Sequence, residues 1–373
     1  VLIQPGSEAG VDLRIDGQYP AARYFSFMAY KGAGPVLSAL TDYEIAPVPG
    51  SQTPFTGIAN IDTAIAPGGY YSVRVQFGPK PAQPAPNTLY IDPAQLGGHS
   101  SLLIYRIYNP LAGIANPQTG GFALPSLTLE TPQGDVPISP DAPTTYCRYW
   151  ASEIENLGPV FVKVMSALSP VNFLPSSFPR FNLYRDNFSL PLQVLNIDNN
   201  YMGATISSTH GDLILVRGRA PTFATDPGLQ PQMRHWSVCE NNAVGITYGC
   251  VQDRDAAVDG DGFFNIVIST PDKMPATATH AYGFDWLTYG PNAASKVGVV
   301  IYRQQLPAPD FAQAMRRVGA QQTPQSVMGD YAPQITYCSS SVFADNTSKG
   351  ASPASVFAAC AAAHHVLFNH SRS

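Results

Sequence analysis

The chain has 373 residues, of which 45% are hydrophobic and 13% charged, with a formal net charge of −5. That length and apolar share exclude a disordered chain and allow two domains with sizeable cores. The charged share is about half the usual ~25%. There is no basic block for nucleic acid to recognise, and no apolar run near the roughly 18–20 residues of a membrane-spanning helix.

The chain opens at "VLIQPGSEAG" without a Met, and the expectation is a processed N-terminus with a targeting segment removed. A first group of strands follows: "VDLRIDGQYPAARYFSF" (11–27), "GGYYSVRVQFG" (68–78), "PNTLYIDP" (86–93) and "LLIYRIYNP" (102–110). Each is a short run rich in Val, Ile, Tyr and Phe, bounded by Gly or Pro, which is how strands read. "PKPAQPAP" (79–86) is expected to be extended. Residues 145–168, "TYCRYWASEIENLGPVFVKVMSAL", carry apolar residues at mixed three- and four-residue spacing and predict helix.

A second group then repeats the first in the same order. "GDLILVRGRAP" (211–221) with "MRHWSV" (233–238) parallels the opening strands, and "GDGFFNIVIST" (260–270) the next. "FDWLTYGP" (284–291) and "VVIYRQQLP" (299–307) complete the set, the last sharing Ile-Tyr-Arg with its twin. Four matched segments in one order indicate an internal duplication. No long helical pattern alternates with the strands, so a parallel α/β sheet is not expected. The reading is a mainly all-β chain of two antiparallel sandwich or jelly-roll-like units. The expected boundaries are 1–140, a partly helical connector 141–200, 201–310, and a helical or irregular segment 311–373 packed on the sheets. Within that last segment, "PDFAQAMRRVG" predicts a helix from Asp310 to a Gly stop. "SPASVFAACAAAHHVLF" predicts another, with Ser352 as cap and Pro353 at its first position.

Five cysteines are spread along the chain, none in a C-x-x-C pair. Cys239 and Cys250 flank a hairpin-like "ENNAVGITYG", and Cys338 and Cys360 could tie down the C-terminal segment. A Cys239–Cys250 bridge and a Cys338–Cys360 bridge are therefore the expectation, leaving Cys147, with five reduced thiols as the alternative.

These strand motifs resemble bacterial exported proteins carrying the domains of unknown function numbered twelve-fifty-four and twelve-fourteen. The resemblance rests on "RYFSF", "PNTLY" and "LLIYRIYNP" in the first unit, and on "HWSV", "DGDGFFNIVIS", "DWLTYG" and "VVIYRQQLP" in the second. It departs at Asp285, where the family pattern has Asn, and at Tyr289-Gly290, which replace a Pro-containing turn. The resemblance implies an exported β-rich protein of the cell envelope (periplasm or outer surface) and supplies no catalytic residues.

Several groups of residues could carry chemistry. Asp253, Asp255, Asp259 and Asp261 cluster in "DRDAAVDGDGFF" and could bind calcium through hard oxygen ligands, or form an Asp-Gly hairpin turn. No G-x-S-x-G elbow occurs, yet His99, His210, His235 and His280 leave a Ser/His/Asp hydrolase site in a groove between the units open. His364, His365 and His370 read as a polar helix end. The arginines are more informative. Arg23, Arg106, Arg234 and Arg303 recur at matched places beside rings, and Ile104, Arg106 and Tyr108 share one strand face. A guanidinium there needs a partner. Candidate partners are Asp12, Asp42 and Asp92 in the first unit, and Asp212 and Asp285 in the second, so that each unit clamps its own loops. The functional alternative is an anion pocket of Arg23, Arg106, Arg234, Trp236, Arg303 and Asp285. Three N-x-S/T sequons, at Asn187, Asn346 and Asn369, matter only in a glycosylating host.

Three functions follow. The leading one is an exported, non-catalytic protein that binds a protein, small-molecule or glycan ligand, or self-assembles into an extracellular structure. It needs no cofactor, unless calcium binds. The alternatives are the hydrolase and a calcium-stabilised lectin-like module.

Overall fold

The computed structural model describes residues 2–3, 10–32, 34–138, 175–183, 196–226, 228–242, 247–289 and 297–370. The helix expected over 145–168, Cys147 and the sequon at Asn187 lie outside the described residues.

The first unit contains β1 (Leu2–Ile3), β2 (Asp12–Gln18), β3 (Ala22–Lys31), β4 (Val36–Thr41), β5 (Tyr70–Phe77), β6 (Thr88–Ile91), β7 (Ser101–Pro110), β8 (Ser126–Thr131) and β9 (Gly134–Ile138). The second contains β10 (Asn182–Leu183), β11 (Asn199–Ser207), β12 (Leu213–Arg219), β13 (Met233–Asn242), β14 (Thr247–Gln252), β15 (Phe263–Ser269), β16 (Asp285–Thr288), β17 (Val297–Pro307) and β18 (Gln334–Cys338). The first unit pairs as β1-β7-β3-β4 and β6-β5-β2-β8-β9. The second repeats this as β11-β17-β13-β14, with β10 added at the β11 edge, and β16-β15-β12-β18. The chain is therefore mainly β, and its duplication extends to details. Each unit has one parallel pair, β5–β6 and β15–β16, and one bulge, at Ala29/Tyr30 and at Glu240/Asn241.

Period-two alternation explains the cores. In the first unit Leu13, Ile15, Phe25, Phe27, Val73 and Val75 meet between two sheets. In the second, Ile214, Val216, Trp236, Val238, Ile266 and Tyr302 do the same. One glycine per unit is forced by close approach. A Cβ on Gly17 would lie 2.7 Å from Tyr71 Cζ, and one on Gly218 would lie 2.8 Å from Phe264 Cζ.

These glycines also fix the true alignment. Gly17 matches Gly218, so the two Asp-Leu pairs at 12–13 and 212–213 are out of step by one residue. Arg14 and Asp12 then correspond to Leu215 and Leu213. The difference has a physical cause. The outer face of β2 is open, and Arg14 contacts Asp16, Glu130 and Asp135 at 2.9–3.0 Å there. The outer face of β12 is covered, with Leu213, Leu215 and Val267 packing on Phe343 and Val356.

Those two residues belong to the helices Ser340–Ser348 and Pro353–His370. The second starts where expected, and Ser355 N donates to Ser352 Oγ at 3.3 Å. The helix expected from Asp310 is instead a single short turn, Met315–Arg317. There the Arg316 and Arg317 guanidiniums donate to the carbonyls of Ala308, Phe311 and Pro309, which holds the segment in irregular turns. The second unit also runs past the expected boundary at 310, because β18 pairs with β12.

Both expected disulfides are present. Cys239 and Cys250 face each other across β13 and β14 with Cα atoms 4.0 Å apart, and Cys338–Cys360 ties β18 to the last helix. No helix among the described residues is long and apolar enough to cross a membrane. The Cys338–Cys360 bridge closes a loop with a sequence separation of 22. Replacing both cysteines with Ser is expected to cost about 3 kcal/mol in urea unfolding while leaving the strand signal in far-UV circular dichroism intact.

Candidate functional site

β3 and β13 open with the same pattern, Arg, two rings and Ser: Arg23-Tyr24-Phe25-Ser26 and Arg234-His235-Trp236-Ser237. Phe25 and Trp236 turn into their own cores. Tyr24, Ser26, His235 and Ser237 take the opposite faces, yet they too are buried. The junction of the two units covers them.

At that junction the arginines exchange partners. Arg23 Nη1 and Nη2 donate to Asp253 Oδ1 and Oδ2 at 2.7 and 2.5 Å, and Nη2 also reaches the Arg234 carbonyl at 2.6 Å. Arg234 Nη1 donates to Asp42 at 2.9 and 3.1 Å and to the Arg23 carbonyl at 3.0 Å. Its Nη2 donates to the carbonyls of Gly57 and Ile58. Each aspartate also accepts a main-chain N–H of its own unit, from Phe25 to Asp42 and from Trp236 to Asp253, both at 3.1 Å. All four side chains are at most 1% exposed. The expectation that each arginine is held by an aspartate of its own unit is thus corrected. Asp42 is a partner, but of the other unit's arginine, and Arg23 takes a residue of the supposed calcium cluster.

The two aspartates differ in their third contact. Burial pushes Asp42 up to about 6, against the pull of Arg234. Burial also opposes charge on Asp253, but Arg23 and His235 outweigh it and hold the carboxyl well below the usual range. His235 Nδ1 lies 3.0 Å from Asp253 Oδ2. Burial lowers the pKa of this imidazole, and the contact with Asp253 opposes that shift. Its twin Tyr24 donates instead to Asp198, at 2.7 Å, beside Thr41 Oγ1 at 2.6 Å.

The calcium reading does not survive. Asp253 points inward to Arg23. Asp255 contacts Arg254 at 3.4 Å, and Asp259 bonds Arg217 at 2.5 Å and accepts the N–H groups of Asp261 and Phe263. The stretch crosses from one sheet to the other, through a 3-10 turn at Asp253–Asp255 and a tight turn at 259–262, rather than forming the expected hairpin between paired strands. Among the described residues no three His, Cys, Asp or Glu gather as a metal site would require.

Two of the proposed ligand residues have structural roles. Trp236 is fully buried, stacks on Phe264 at 4.9 Å between centroids, and donates Nε1–H to the Pro221 carbonyl. Asp285 Oδ2 accepts the Ala257 N–H at 2.8 Å, while Oδ1 lies 2.6 Å from exposed His280 Nε2. Its twin in the first unit, Asn87, accepts the N–H of Ala46 at 2.8 Å with an amide. The task at this position is therefore to hold a loop. No hydrogen bond joins His235 to Ser237.

Arg106 and Arg303 are different. Each is half-buried on the junction side of β7 and β17. The Arg106 Cζ lies 5.3 Å from the Tyr30 ring centroid. The Arg303 Cζ lies 5.7 Å from the Tyr108 ring and 5.5 Å from the Tyr201 ring, one from each unit. Charge on Tyr201 is opposed by burial but favoured by Arg303 and Arg106, so both guanidiniums bear on one phenol. Alternation had placed Arg106 and Tyr108 on one face. Asp198, Asn196 and Tyr201 were missed, since "NIDNNY" gives no local signal of a junction.

No family model and no curated protein matches the chain. Among solved structures it is similar to the crystal structure of an uncharacterised protein from Burkholderia cenocepacia, at 15% identity and a TM-score of 0.48. That match covers 80% of this chain and 70% of the other.

The clamp generates one prediction. Removing one member leaves a buried charge unpaired, so Arg23→Met and Asp42→Asn are each expected to cost about 3–5 kcal/mol in chemical denaturation. The double change Arg23→Met with Asp253→Leu is expected to cost less than Arg23→Met alone.

Glu240 generates another. It lies on the core face of β13, fully buried, and neither carboxyl oxygen has a hydrogen-bond partner. Its twin in the first unit is Ala29. Burial raises the Glu240 pKa from 4.5 to about 9. The folded carboxyl holds its proton more tightly than the unfolded one, so stability declines as pH rises between those values. Glu240→Gln is expected to abolish that slope and to be more stable than the parent by about 1–3 kcal/mol at pH 8. Urea unfolding at pH 5 and pH 8 measures both.

Proposed function

We propose that this chain is an exported, non-catalytic β protein of the cell envelope or extracellular space that binds a ligand or partner at the junction of its two units. The observation that carries the reading is the convergence of Arg106 and Arg303 with Tyr30, Tyr108 and Tyr201 at one place, drawn from both units. Rings beside half-buried guanidiniums form a surface that recognises anionic or aromatic groups. The two disulfides suit an oxidising compartment. The resemblance to exported proteins with domains twelve-fifty-four and twelve-fourteen points the same way. The groups that would serve hydrolysis have other tasks: Asp253 and His235 hold the clamp, and Asp285 holds a loop.

Turnover assays test this. A panel of p-nitrophenyl esters and glycosides is expected to show no rate above buffer. A saturable rate that disappears in His235→Ala or His280→Ala overturns the reading in favour of a hydrolase.

A further inference from the structure

We propose that the junction binds a small organic acid, its carboxylate paired with the Arg303 guanidinium and its planar body lying along Tyr201. This rests on the binding-protein reading and names the ligand class.

Three observations carry it. First, Arg23 and Arg234 are neutralised by Asp253 and Asp42, but the Arg303 side chain forms no ion pair and no hydrogen bond among the described residues. Its Nε is buried without a partner. A half-buried guanidinium without a counter-charge can take an anion, and its fork of N–H groups matches the two oxygens of a carboxylate. Secondly, the arginine is pre-positioned. It is held between rings of the first and second units, so little side-chain freedom remains to be lost on binding. Tyr108 is itself stacked on Tyr24 at 5.2 Å, so it is the Tyr201 ring that offers an apolar surface to the body of the acid. Thirdly, hydroxyls on the junction faces remain able to donate. Ser26 Oγ sits in a fully buried residue on the junction face of β3 and has no hydrogen-bond partner. Tyr201 Oη already accepts from Asn199 Nδ2 at 2.8 Å, which leaves its own O–H to donate. A half-buried cation, hydroxyl donors and an aromatic wall together suit a carboxylate with a planar body.

Calorimetric titration of the full chain with benzoate at constant ionic strength tests the site, with neutral benzamide as the control. Saturable benzoate binding is expected, and none to benzamide. Arg303→Gln is expected to weaken benzoate about tenfold to hundredfold, the scale of a charge-assisted, two-pronged contact. Arg14→Gln, on the open outer face, is expected to bind as the parent does. Should Arg303→Gln fail to fold by circular dichroism, Tyr201→Leu replaces it, with a loss of about tenfold expected. Equal binding of benzoate and benzamide overturns the site, as does undiminished affinity in the variant or no saturable binding of benzoate. The broader reading falls separately, by histidine-dependent turnover.

Discussion

Two arginine–aspartate pairs, buried to within 1% of complete exclusion from solvent, hold the two halves of this chain together. Each pair joins a strand of one unit to the turn after β4 or β14 of the other. Each guanidinium also takes the main-chain carbonyl of the opposite arginine. The arrangement is reciprocal because the sequence is duplicated. Arg23 and Arg234 occupy matched positions, as do Asp42 and Asp253, and a two-fold-like junction makes each the other's partner. Buried ion pairs contribute little net stability, since desolvation offsets most of the attraction. What they impose is geometry: only one relation between the units satisfies all four charges.

Around that fixed junction the two units have diverged in ways the physics explains. The first keeps a charged outer face on β2, and the second an apolar one, because only the second is covered by C-terminal helices. Both disulfides also fall in the second unit, one on the β13–β14 hairpin and one anchoring those helices. Asn87 and Asp285 perform the same loop contact, one with an amide and the other with a carboxyl. Glu240 stands where the first unit has Ala29, and carries a buried acid for which the fold provides no partner. Arg106 and Arg303 remain matched, and the junction brings them among tyrosines from both units.

The architecture was legible in the sequence because its signals are local. Alternation marked the strands, and the repeated "IYR" and the Arg-ring-ring-Ser pattern marked the duplication. Ser352-Pro353 marked a helix start, and cysteine placement suggested both bridges. The junction was not legible, because its contacts span long separations: Arg23 and Asp253 are 230 residues apart. Arg23 and Arg234 were visibly in need of partners, yet a single unit offered enough aspartates to suggest the wrong ones. The Asp-Leu repeat misled by one residue, since Gly17 and Gly218, pressed against Tyr71 and Phe264, set the register. "FAQAMRRV" shows the limit of periodicity. Phe311, Ala314, Met315 and Val318 are buried at helical spacing, but arginine contacts to nearby carbonyls hold most of the segment out of a helix.

Because each unit has its own core, only the junction makes the two behave as one. With Trp150 replaced by Phe throughout, the remaining tryptophans, Trp236 and Trp286, report on the second unit, whereas far-UV circular dichroism reports on both. The most direct measurement is therefore equilibrium urea unfolding followed by both signals, in the parent and in the Arg23→Met, Arg234→Met double variant. The reciprocal clamp predicts coincident transitions in the parent and separated ones in the variant. Separate transitions in the parent, or coincident ones that survive loss of both arginines, would contradict it.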